Sequence, residues 1–259
     1  MRIQDAVVLV TGANRGIGRA LVAGFLERGA ARVHAAARDP RTLEGLVGQG
    51  AGAAGRVVPL ALDITDPAAV AAAAEAASEV NLLVNNAGLH AMGHVLDMDL
   101  ESVEAVMRTN WLGTLRMLRA FAPVVERNGG GAIVNVISVG AFAGTPQLGP
   151  YPASKAALNM LTQAVREDLA PRGISVHAVF PGPVETDMLR YAVEHLPGIG
   201  SYTAATADEA AAAILDGIEA GADEIFPDPF AERVRDGLRT DPKGVERLLI
   251  DVEKSPPRD

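Results

Sequence analysis

Residues 6–18 read Ala6-Val7-Val8-Leu9-Val10-Thr11-Gly12-Ala13-Asn14-Arg15-Gly16-Ile17-Gly18. The continuous apolar run at 6–10 is typical of a strand buried on both faces of a parallel sheet. The pattern T-G-x-x-x-G-x-G follows, and a helical pattern then ends at Gly29. Glycines between a buried strand and a helix let a phosphate approach the backbone at the positive end of the helix dipole. The stretch predicts a nucleotide-binding strand–turn–helix unit, with a plain tight turn as the alternative.

Strands and helices alternate along the rest of the chain. Further strands are predicted at 32–37, 57–62, 82–84, 132–137, 174–180 and 224–226, and helices at 66–78, 100–126, 151–169 and 206–220. Parallel strands need such crossovers, so the pattern predicts an α/β fold: a doubly wound (Rossmann) parallel sheet of about six to seven strands with helices on both faces. Since no repeat or linker is evident, residues 1–259 are expected to form a single Rossmann-fold domain.

Composition excludes several classes of function. The net charge is −9 without a long Lys/Arg run, which argues against nucleic acid and membrane partners. The chain has no cysteine, so disulfides and zinc–thiolate sites are excluded, and its histidines lack metal-ligand spacing; no metal is expected. The chain starts directly in a strand pattern, without a secretory signal or an apolar run of about 18 residues, so a cytoplasmic protein is expected.

The loop and the end of the second strand predict the cofactor. In such sheets an acid at the strand end binds the ribose 2′-hydroxyl, whereas an arginine accommodates a 2′-phosphate. Ala37 offers no carboxylate there, and Arg38 follows it, so Arg15 and Arg38 are predicted to grip the phosphate of NADP(H) in preference to NAD(H). The alternative makes Asp39 the ribose ligand. The loop residues predicted to contact the cofactor are Gly12, Asn14, Arg15, Gly16, Ile17 and Gly18.

Two further strand ends carry candidate cofactor residues. Asp63 and Ile64 could hold an adenine, through a carboxylate for its amine and an apolar contact for its ring, although a turn aspartate is equally expected there. The segment Asn86-Ala87-Gly88 combines an amide that can lock neighbouring loops with small residues that leave room for a cofactor.

Tyr151 and Lys155 are one helical turn apart, on one face of a predicted helix. A nearby ammonium favours a phenolate, so the pair could act as a general acid or base. An ordinary helix start, with Lys155 in solvent, is the alternative. Because Pro152 follows Tyr151, and a residue before proline avoids the helical region, Tyr151 is expected at the helix entry and not inside the helix.

The sequence resembles the compact branch of the short-chain dehydrogenase/reductase family, over about residues 5–190. The resemblance rests on Thr11-Gly12, Gly16-Ile17-Gly18, Asn86-Ala87-Gly88, Asn110, Ser138, Tyr151, Lys155 and Pro181-Gly182, in the family's order.

The resemblance implies that Asn110, Ser138, Tyr151 and Lys155 are catalytic. Tyr151 would exchange a proton with the substrate oxygen, and Ser138 would donate a hydrogen bond to it. Lys155 would lower the Tyr151 pKa and bind the nicotinamide ribose, and Asn110 would hold a water that links Lys155 to solvent. The cofactor-binding residues implied on the nicotinamide side are Tyr151, Lys155, Pro181, Gly182, Val184 and Thr186.

The C-terminal segment, about 228–259, is charged and departs from the family pattern, which puts a tetramer in doubt. The helices at 100–126 and 151–169 could instead pair a homodimer, unless their apolar faces only cover the sheet. The charged segment itself is expected to contain one helix.

Segments 89–95, 139–150 and 187–206 are expected to border the substrate, the last as a lid. The lid is rich in apolar residues, so a small, mostly apolar substrate is expected. The leading hypothesis is an NADP(H)-dependent oxidoreductase that interconverts a carbonyl and a secondary alcohol. The alternatives are an NAD(H)-dependent alcohol dehydrogenase of the same fold and a non-catalytic NADP-binding regulatory or scaffold protein.

Overall fold

A computed structural model describes residues 1–46, 55–196 and 202–251 of the chain. Its strands are β1 (Val7–Thr11), β2 (Arg32–Ala37), β3 (Val57–Ala61), β4 (Leu82–Asn85), β5 (Gly131–Val136), β6 (Ile174–Val179) and β7 (Glu224–Ile225). They form one parallel sheet in the order β3-β2-β1-β4-β5-β6-β7. The order reverses between β1 and β4, where such sheets bind their ligands. The predicted doubly wound sheet is confirmed.

Helices lie between the strands, and the last two follow β7. The α-helices are α1 (Gly16–Glu27), α2 (Pro67–Ala76), α3 (Leu100–Met107), α4 (Thr114–Arg127), α5 (Pro150–Leu169), α6 (Asp187–His195), α7 (Ala207–Ala220), α8 (Pro229–Thr240) and α9 (Pro242–Asp251). Short 3₁₀ helices span Pro40–Leu46, Val139–Phe142 and Ala170–Arg172, and a π-helical turn spans Arg108–Gly113.

Alternate residues of β1 serve the two faces of the sheet. Val8 and Val10 pack with α1 and α7, and Leu9 packs on the other face with α2 and α4. Phe25 of α1 and Phe121 of α4 are fully buried in these two layers. Both faces are thus apolar, which explains why the strands are continuous hydrophobic runs in the sequence.

Two predicted helical segments differ from the structure. The run predicted as one helix at 100–126 is divided by the π-helical turn at Arg108–Gly113, which places Asn110 with its side chain fully buried. The C-terminal segment forms α8 and α9 where one helix was predicted, because Val234, Val245 and Leu249 bury their side chains in a common apolar cluster.

The predicted lid at 187–206 contains α6, and residues 197–201, with Gly198 and Gly200, lie outside the described residues. Across the described ranges, we find no helix with the length and apolar character needed to span a membrane.

Candidate active site

Asn86 and Thr11 fasten the loops that follow β4 and β1. The Asn86 side-chain amide donates to the carbonyls of Thr11 at 2.9 Å and Gly12 at 3.1 Å. In return, the backbone amides of Asn86 and Ala87 donate to the Thr11 hydroxyl, each at 3.0 Å. The amide thus locks the two loops together at the sheet's switch point, as its sequence context suggested.

The three glycines of the loop stand where a side chain would not fit. Gly12 has φ +63°, and a Cβ on it would lie 3.0 Å from the Cα of Ala87. A Cβ on Gly18 would lie 2.3 Å from the Gly12 carbonyl oxygen, and one on Gly16 2.9 Å from the Cγ2 of Thr186. The loop leads straight into the N-terminus of α1. This backbone cradle, with helical N–H groups at its end, fits the pyrophosphate of a dinucleotide.

The charged groups at the end of β2 are arranged around two arginines. Arg38 is exposed directly after the strand, and the Arg15 side chain is 65% exposed, with its Nη1 3.4 Å from Asp187. Asp39 accepts from the backbone amide of Arg41 at 3.0 Å and from its Nε at 2.9 Å and Nη2 at 2.8 Å. These bonds lower the pKa of Asp39 below its ordinary value. The carboxylate that the alternative made the ribose ligand is therefore engaged by Arg41.

Asp63 is a turn residue before α2. This is the alternative that the sequence offered to an adenine contact. Its Oδ1 accepts from the Thr65 amide at 2.8 Å and hydroxyl at 2.7 Å. Burial works to raise the pKa of Asp63, but these bonds and the charge of Arg38 together lower it. The Ile64 side chain is 6% exposed and packs towards Gly113, so little of it is left for a ring.

Ser138, Tyr151 and Lys155 converge at the carboxyl ends of β5 and β6. The side chains of Tyr151 and Ser138 are hydrogen-bonded to each other. The Lys155 ammonium lies 5.6 Å from the centroid of the Tyr151 ring and donates to the Val136 carbonyl at 2.9 Å. Lys155 is 4% exposed, so the alternative of a solvated lysine does not describe this side chain.

The pKa values in this cluster follow from burial. Burial raises the pKa of Tyr151, with the Ser138 hydrogen bond acting in the opposite direction. Burial also lowers the pKa of Lys155 to about 8. In the chain by itself, burial thus sets the direction of the Tyr151 shift. The lowering of the Tyr151 pKa by Lys155 that the resemblance implied stays a prediction.

Tyr151 is the second residue of α5, so it stands at the helix entry as predicted, but it is part of the first helical turn, which the prediction excluded. The helix begins at Pro150, after Gly149 with φ +49°. The first amides of a helix have no intrahelical acceptor, so the N–H group that Pro152 lacks would have made no helical hydrogen bond there. The backbone amide of Tyr151 donates to the Leu148 carbonyl at 3.1 Å.

Asn110 connects the loop after β4 to α5. Its side chain accepts from the Leu89 amide and donates to the Leu89 carbonyl, both at 2.8 Å. It also donates to the Ser154 hydroxyl at 2.8 Å, which in turn donates to the Tyr151 carbonyl at 2.7 Å. Asn110 therefore fixes the backbone on both sides of the cleft; its predicted role in holding a water stays a prediction.

The turn after β6 is tied to the Ser138 turn. The Pro181 carbonyl accepts from the Val139 amide at 3.0 Å. Thr186 caps α6, accepting from the Leu189 amide at 3.2 Å and donating to the Val184 carbonyl at 3.1 Å. Since Thr186 also adjoins Gly16, this turn brings the α6 segment against the glycine loop.

The sequence assigned no role to the His90 side chain, although its segment, 89–95, was expected to border the substrate; the structure places the ring beside Tyr151. Its ring is edge-on to Tyr151, with centroids 6.5 Å apart, and to Tyr191, at 5.4 Å. Burial lowers the pKa of His90, and the charges of Arg15 and His195 lower it further. The sequence signal for His90 was its position in the segment 89–95, just after Gly88. A cleft of about 520 Å³ adjoins the rings of His90 and Tyr191, and it is lined by His90, Ala91, Met92, Gly93, His94, Asp97, Met98, Asp99, Ser102 and Tyr191.

A polar network inside the sheet was also missed. The Asn85 amide donates to Asn135 at 2.9 Å, and the Asn135 amide donates to the Thr162 hydroxyl at 3.0 Å. These residues link β4, β5 and α5 beneath Lys155.

Within the described ranges, no group of three or more His, Cys, Asp or Glu side chains could hold a metal ion.

The chain is similar to known proteins over most of its length. The family model for short chain dehydrogenases matches residues 6–197. A probable oxidoreductase, EphD, of Mycobacterium tuberculosis is 36% identical over 75% of the chain, although the match spans only 33% of EphD. The 3-oxoacyl-[acyl-carrier-protein] reductase FabG of Thermotoga maritima is 35% identical over 79% of the chain and 82% of FabG.

Solved structures share the fold throughout. A short chain dehydrogenase from Burkholderia cenocepacia in complex with NADP has a TM-score of 0.85 and 39% identity, covering 96% of this chain and 99% of that one. A 3-ketoacyl-(acyl-carrier-protein) reductase from Brucella melitensis complexed with NADH has a TM-score of 0.77 and 30% identity, covering 85% and 94%. The chain therefore belongs to the short-chain dehydrogenase/reductase family.

Proposed function

We propose that the protein is an NADP(H)-dependent oxidoreductase that interconverts a carbonyl and a secondary alcohol. The observation that carries this proposal is the hydrogen-bonded pair of Tyr151 and Ser138 beside the buried ammonium of Lys155. Two hydroxyls that meet at one point can both hydrogen-bond a single substrate oxygen. Membership of the family supports the same reaction class.

In the direction of reduction, Ser138 donates a hydrogen bond to the carbonyl oxygen and stabilises the negative charge that develops on it. Tyr151 donates its proton to that oxygen. Its raised pKa keeps the hydroxyl protonated at neutral pH, as a general acid requires. When bound, the nicotinamide cofactor supplies the hydride, or accepts it in the reverse direction. Lys155 binds the nicotinamide ribose and stabilises a phenolate once Tyr151 has given up its proton.

The preference for NADP(H) rests on Arg15 and Arg38. Both side chains are exposed near the loop, where they can bind a 2′-phosphate bidentately. The alternative ligand, Asp39, already accepts three hydrogen bonds from Arg41 at 2.8–3.0 Å. A ribose 2′-hydroxyl would have to compete with this guanidinium.

The substrate is proposed to be small and mostly apolar. The α6 segment borders the cleft through Tyr191. Its Ala192 and Leu196 are buried against Met92, Leu148 and Leu189. Tyr191, 46% exposed on the same helix, lines the cleft with Met92 and Met98, and these side chains offer apolar surface to a ligand. The imidazole of His90 adds a polar group next to Tyr151.

The experiment that tests the proposal follows NADPH absorbance with a panel of ketones and aldehydes, and the reverse reaction with secondary alcohols. Turnover of neutral alicyclic or aromatic ketones is expected. The proposal fails if the purified protein oxidises NADPH with none of them, and its substrate class fails if polyanionic carbonyls are strongly preferred.

We further propose a homodimer in the cytoplasm, with residues 1–259 as one domain. Leu100 and Met160 are 75% and 57% exposed on α3 and α5, and both lie in the predicted contact helices. Covering such side chains with a second copy removes apolar surface from water. Size-exclusion chromatography with light scattering tests the assembly: Met160→Glu should yield a monomer, whereas Leu96→Glu, at a 95% exposed position outside these helices, should not.

A further inference from the structure

Asp228 is a buried carboxylate that joins the C-terminal helices to the turn after β6. It is 5% exposed. One oxygen, Oδ2, accepts from the Gly182 amide at 2.7 Å, and the other, Oδ1, accepts from the Ala231 amide at 2.8 Å. The second bond caps the N-terminus of α8. The first reaches across 46 residues of sequence to the proposed nicotinamide turn.

The turn that Asp228 holds is closely packed. A Cβ on Gly182 would lie 2.6 Å from the Asp228 carboxylate and 3.0 Å from the Phe230 ring. On its other side, the Pro181 carbonyl accepts from Val139, the residue after Ser138. The turn is therefore held from both sides: by the Ser138 turn and by the start of α8.

The C-terminal helices pack against the residues on both sides of Ser138. Phe230, Val234 and Val245 share an apolar cluster with Ile137 and Val139, which flank Ser138. The Phe180 ring, which immediately precedes the turn, stacks on Phe226 with centroids 5.0 Å apart. A displacement of α8 would therefore also displace the Pro181-Gly182 turn and Ser138.

Helix capping alone does not require this arrangement. Asp66 caps α2 through a single bond to the Ala68 amide at 2.8 Å, without burial of the aspartate. Asp228 is buried at a cost: desolvation raises its pKa, against hydrogen bonds from the amides of Ala231, Gly182 and Phe230. A serine or an exposed aspartate would cap α8 equally well, so the buried two-sided carboxylate calls for another role.

We propose that Asp228 is a positioning residue, which holds the Pro181-Gly182 turn in the conformation that seats the nicotinamide end of the cofactor. The proposal rests on the proposed function, because it assumes that a nicotinamide lies at this turn. It gives the C-terminal helices a part in the reaction, although they contribute no group to the cleft.

The test separates the two ends of the cofactor. In Asp228→Ser the short hydroxyl can still cap α8 but cannot also reach Gly182. We expect NADPH to bind about tenfold more weakly, the loss expected for one hydrogen bond to a charged group. The affinity for adenosine 2′,5′-bisphosphate, which lacks the nicotinamide, should not change. Asp66→Ser is the matched control and should bind both ligands like the wild type; fluorescence and calorimetry give the affinities.

Amide hydrogen exchange provides a readout that needs no ligand. Peptides that contain Gly182 should exchange faster in Asp228→Ser than in the wild type, and in Asp66→Ser they should not. If Asp228→Ser does not fold, Asp228→Asn replaces it, since asparagine has one acceptor oxygen in place of two.

Equal NADPH affinity and equal exchange in the folded Asp228 variant and the wild type would overturn the proposal, as would an equal loss of affinity for both ligands. If the wild type binds neither NADPH nor NADH, the proposed function has failed. The exchange result then stands alone: faster exchange supports Asp228 as the anchor of the turn, and unchanged exchange refutes it.

Discussion

Asn110 and Leu89 are joined by a pair of reciprocal hydrogen bonds, in which the side-chain amide of Asn110 pairs with both backbone polar groups of Leu89 at 2.8 Å. Leu89 follows Gly88 at the cofactor side of the cleft. Gly88 in turn adjoins both Asn110 and Lys155: a Cβ on it would lie 3.5 Å from the Asn110 side-chain oxygen and 3.6 Å from the Lys155 ammonium. The pair therefore fixes the backbone on which these groups are arranged.

Asn110→Ala should reduce the free energy of unfolding by about 3 kcal/mol, because it removes two partly buried hydrogen bonds to Leu89 and a buried one to Ser154. It should also lower kcat, since the support of α5 at Tyr151 is lost. Urea unfolding and steady-state rates measure the two effects. Asn128→Ala is the control: its amide also donates to two carbonyls, at 2.9 and 3.0 Å, but far from the cleft. Wild-type kcat in a folded Asn110→Ala would contradict the expected effect on the site.

Removing the Tyr151 hydroxyl tests its proposed role as the proton donor. Tyr151→Phe should lose at least about 100-fold in kcat, the usual contribution of a general acid, and should still bind NADPH, because the cradle for its phosphates is untouched. Tyr202→Phe removes a hydroxyl from a ring that packs on Phe230 at 4.8 Å and should leave the rate unchanged. Retention of most activity by Tyr151→Phe would mean that another group delivers the proton.

The arginines near the glycine loop test the choice of cofactor. Arg38→Ala should weaken NADPH binding about tenfold or more, as expected for a lost charged hydrogen bond, with little change for NADH. Arg32→Ala is the matched control, since Arg32 lies at the other end of the same strand and pairs with Glu79 at 2.7 Å. Fluorescence titration gives both affinities. If wild-type protein binds NADH as tightly as NADPH, the assignment of Arg15 and Arg38 is wrong.

Arg41→Ala tests the choice between NADPH and NADH through Asp39. It would release the Asp39 carboxylate from the guanidinium that holds it. A free carboxylate at this position can bind a ribose 2′-hydroxyl, so NADH affinity should rise while NADPH affinity does not. An unchanged ratio of the two affinities would show that Asp39 lies outside the ribose site.

The sheet and the cradle were predictable because their signals are local. Each strand is a short apolar run, and the glycines of the loop follow the first of these runs directly in sequence. The Tyr151 and Lys155 pair could be recognised for the same reason, as its spacing is that of one helical turn.

Other features depend on contacts between distant segments. The π-helical turn around Asn110 is stabilised by Leu89 and Ser154, which lie 21 and 44 residues away in sequence. Asp228 looks like a simple helix cap until Gly182 is placed beside it. His90 gains its role only when α6 brings Tyr191 within 5.4 Å of its ring. None of these partners can be paired from spacing or composition.

The buried Lys155 predicts a pH dependence of cofactor use. Its pKa is lowered from 10.5 to about 8, so the free enzyme loses the ammonium as the pH rises through about 8. Since the ammonium is proposed to bind the ribose, kcat/KM for NADPH should fall through the same range. Tyr151 should not contribute, because its pKa is raised above 10.0. Rates between pH 6.5 and about 9.5 measure this profile, which reports groups of the free enzyme.

Lys155→Arg keeps a positive charge throughout that range, so its kcat/KM should not fall near pH 8, whatever its absolute value. The free energy of unfolding should change with pH in the opposite direction to kcat/KM. A basic group whose pKa is lowered by folding loses its stabilising contribution as the pH falls through the folded pKa. Relative to Lys155→Met, the wild type should therefore gain stability as the pH rises from about 8 towards 10.5. A wild-type kcat/KM that stays flat up to pH 9.5 would remove Lys155 from cofactor binding as an ammonium.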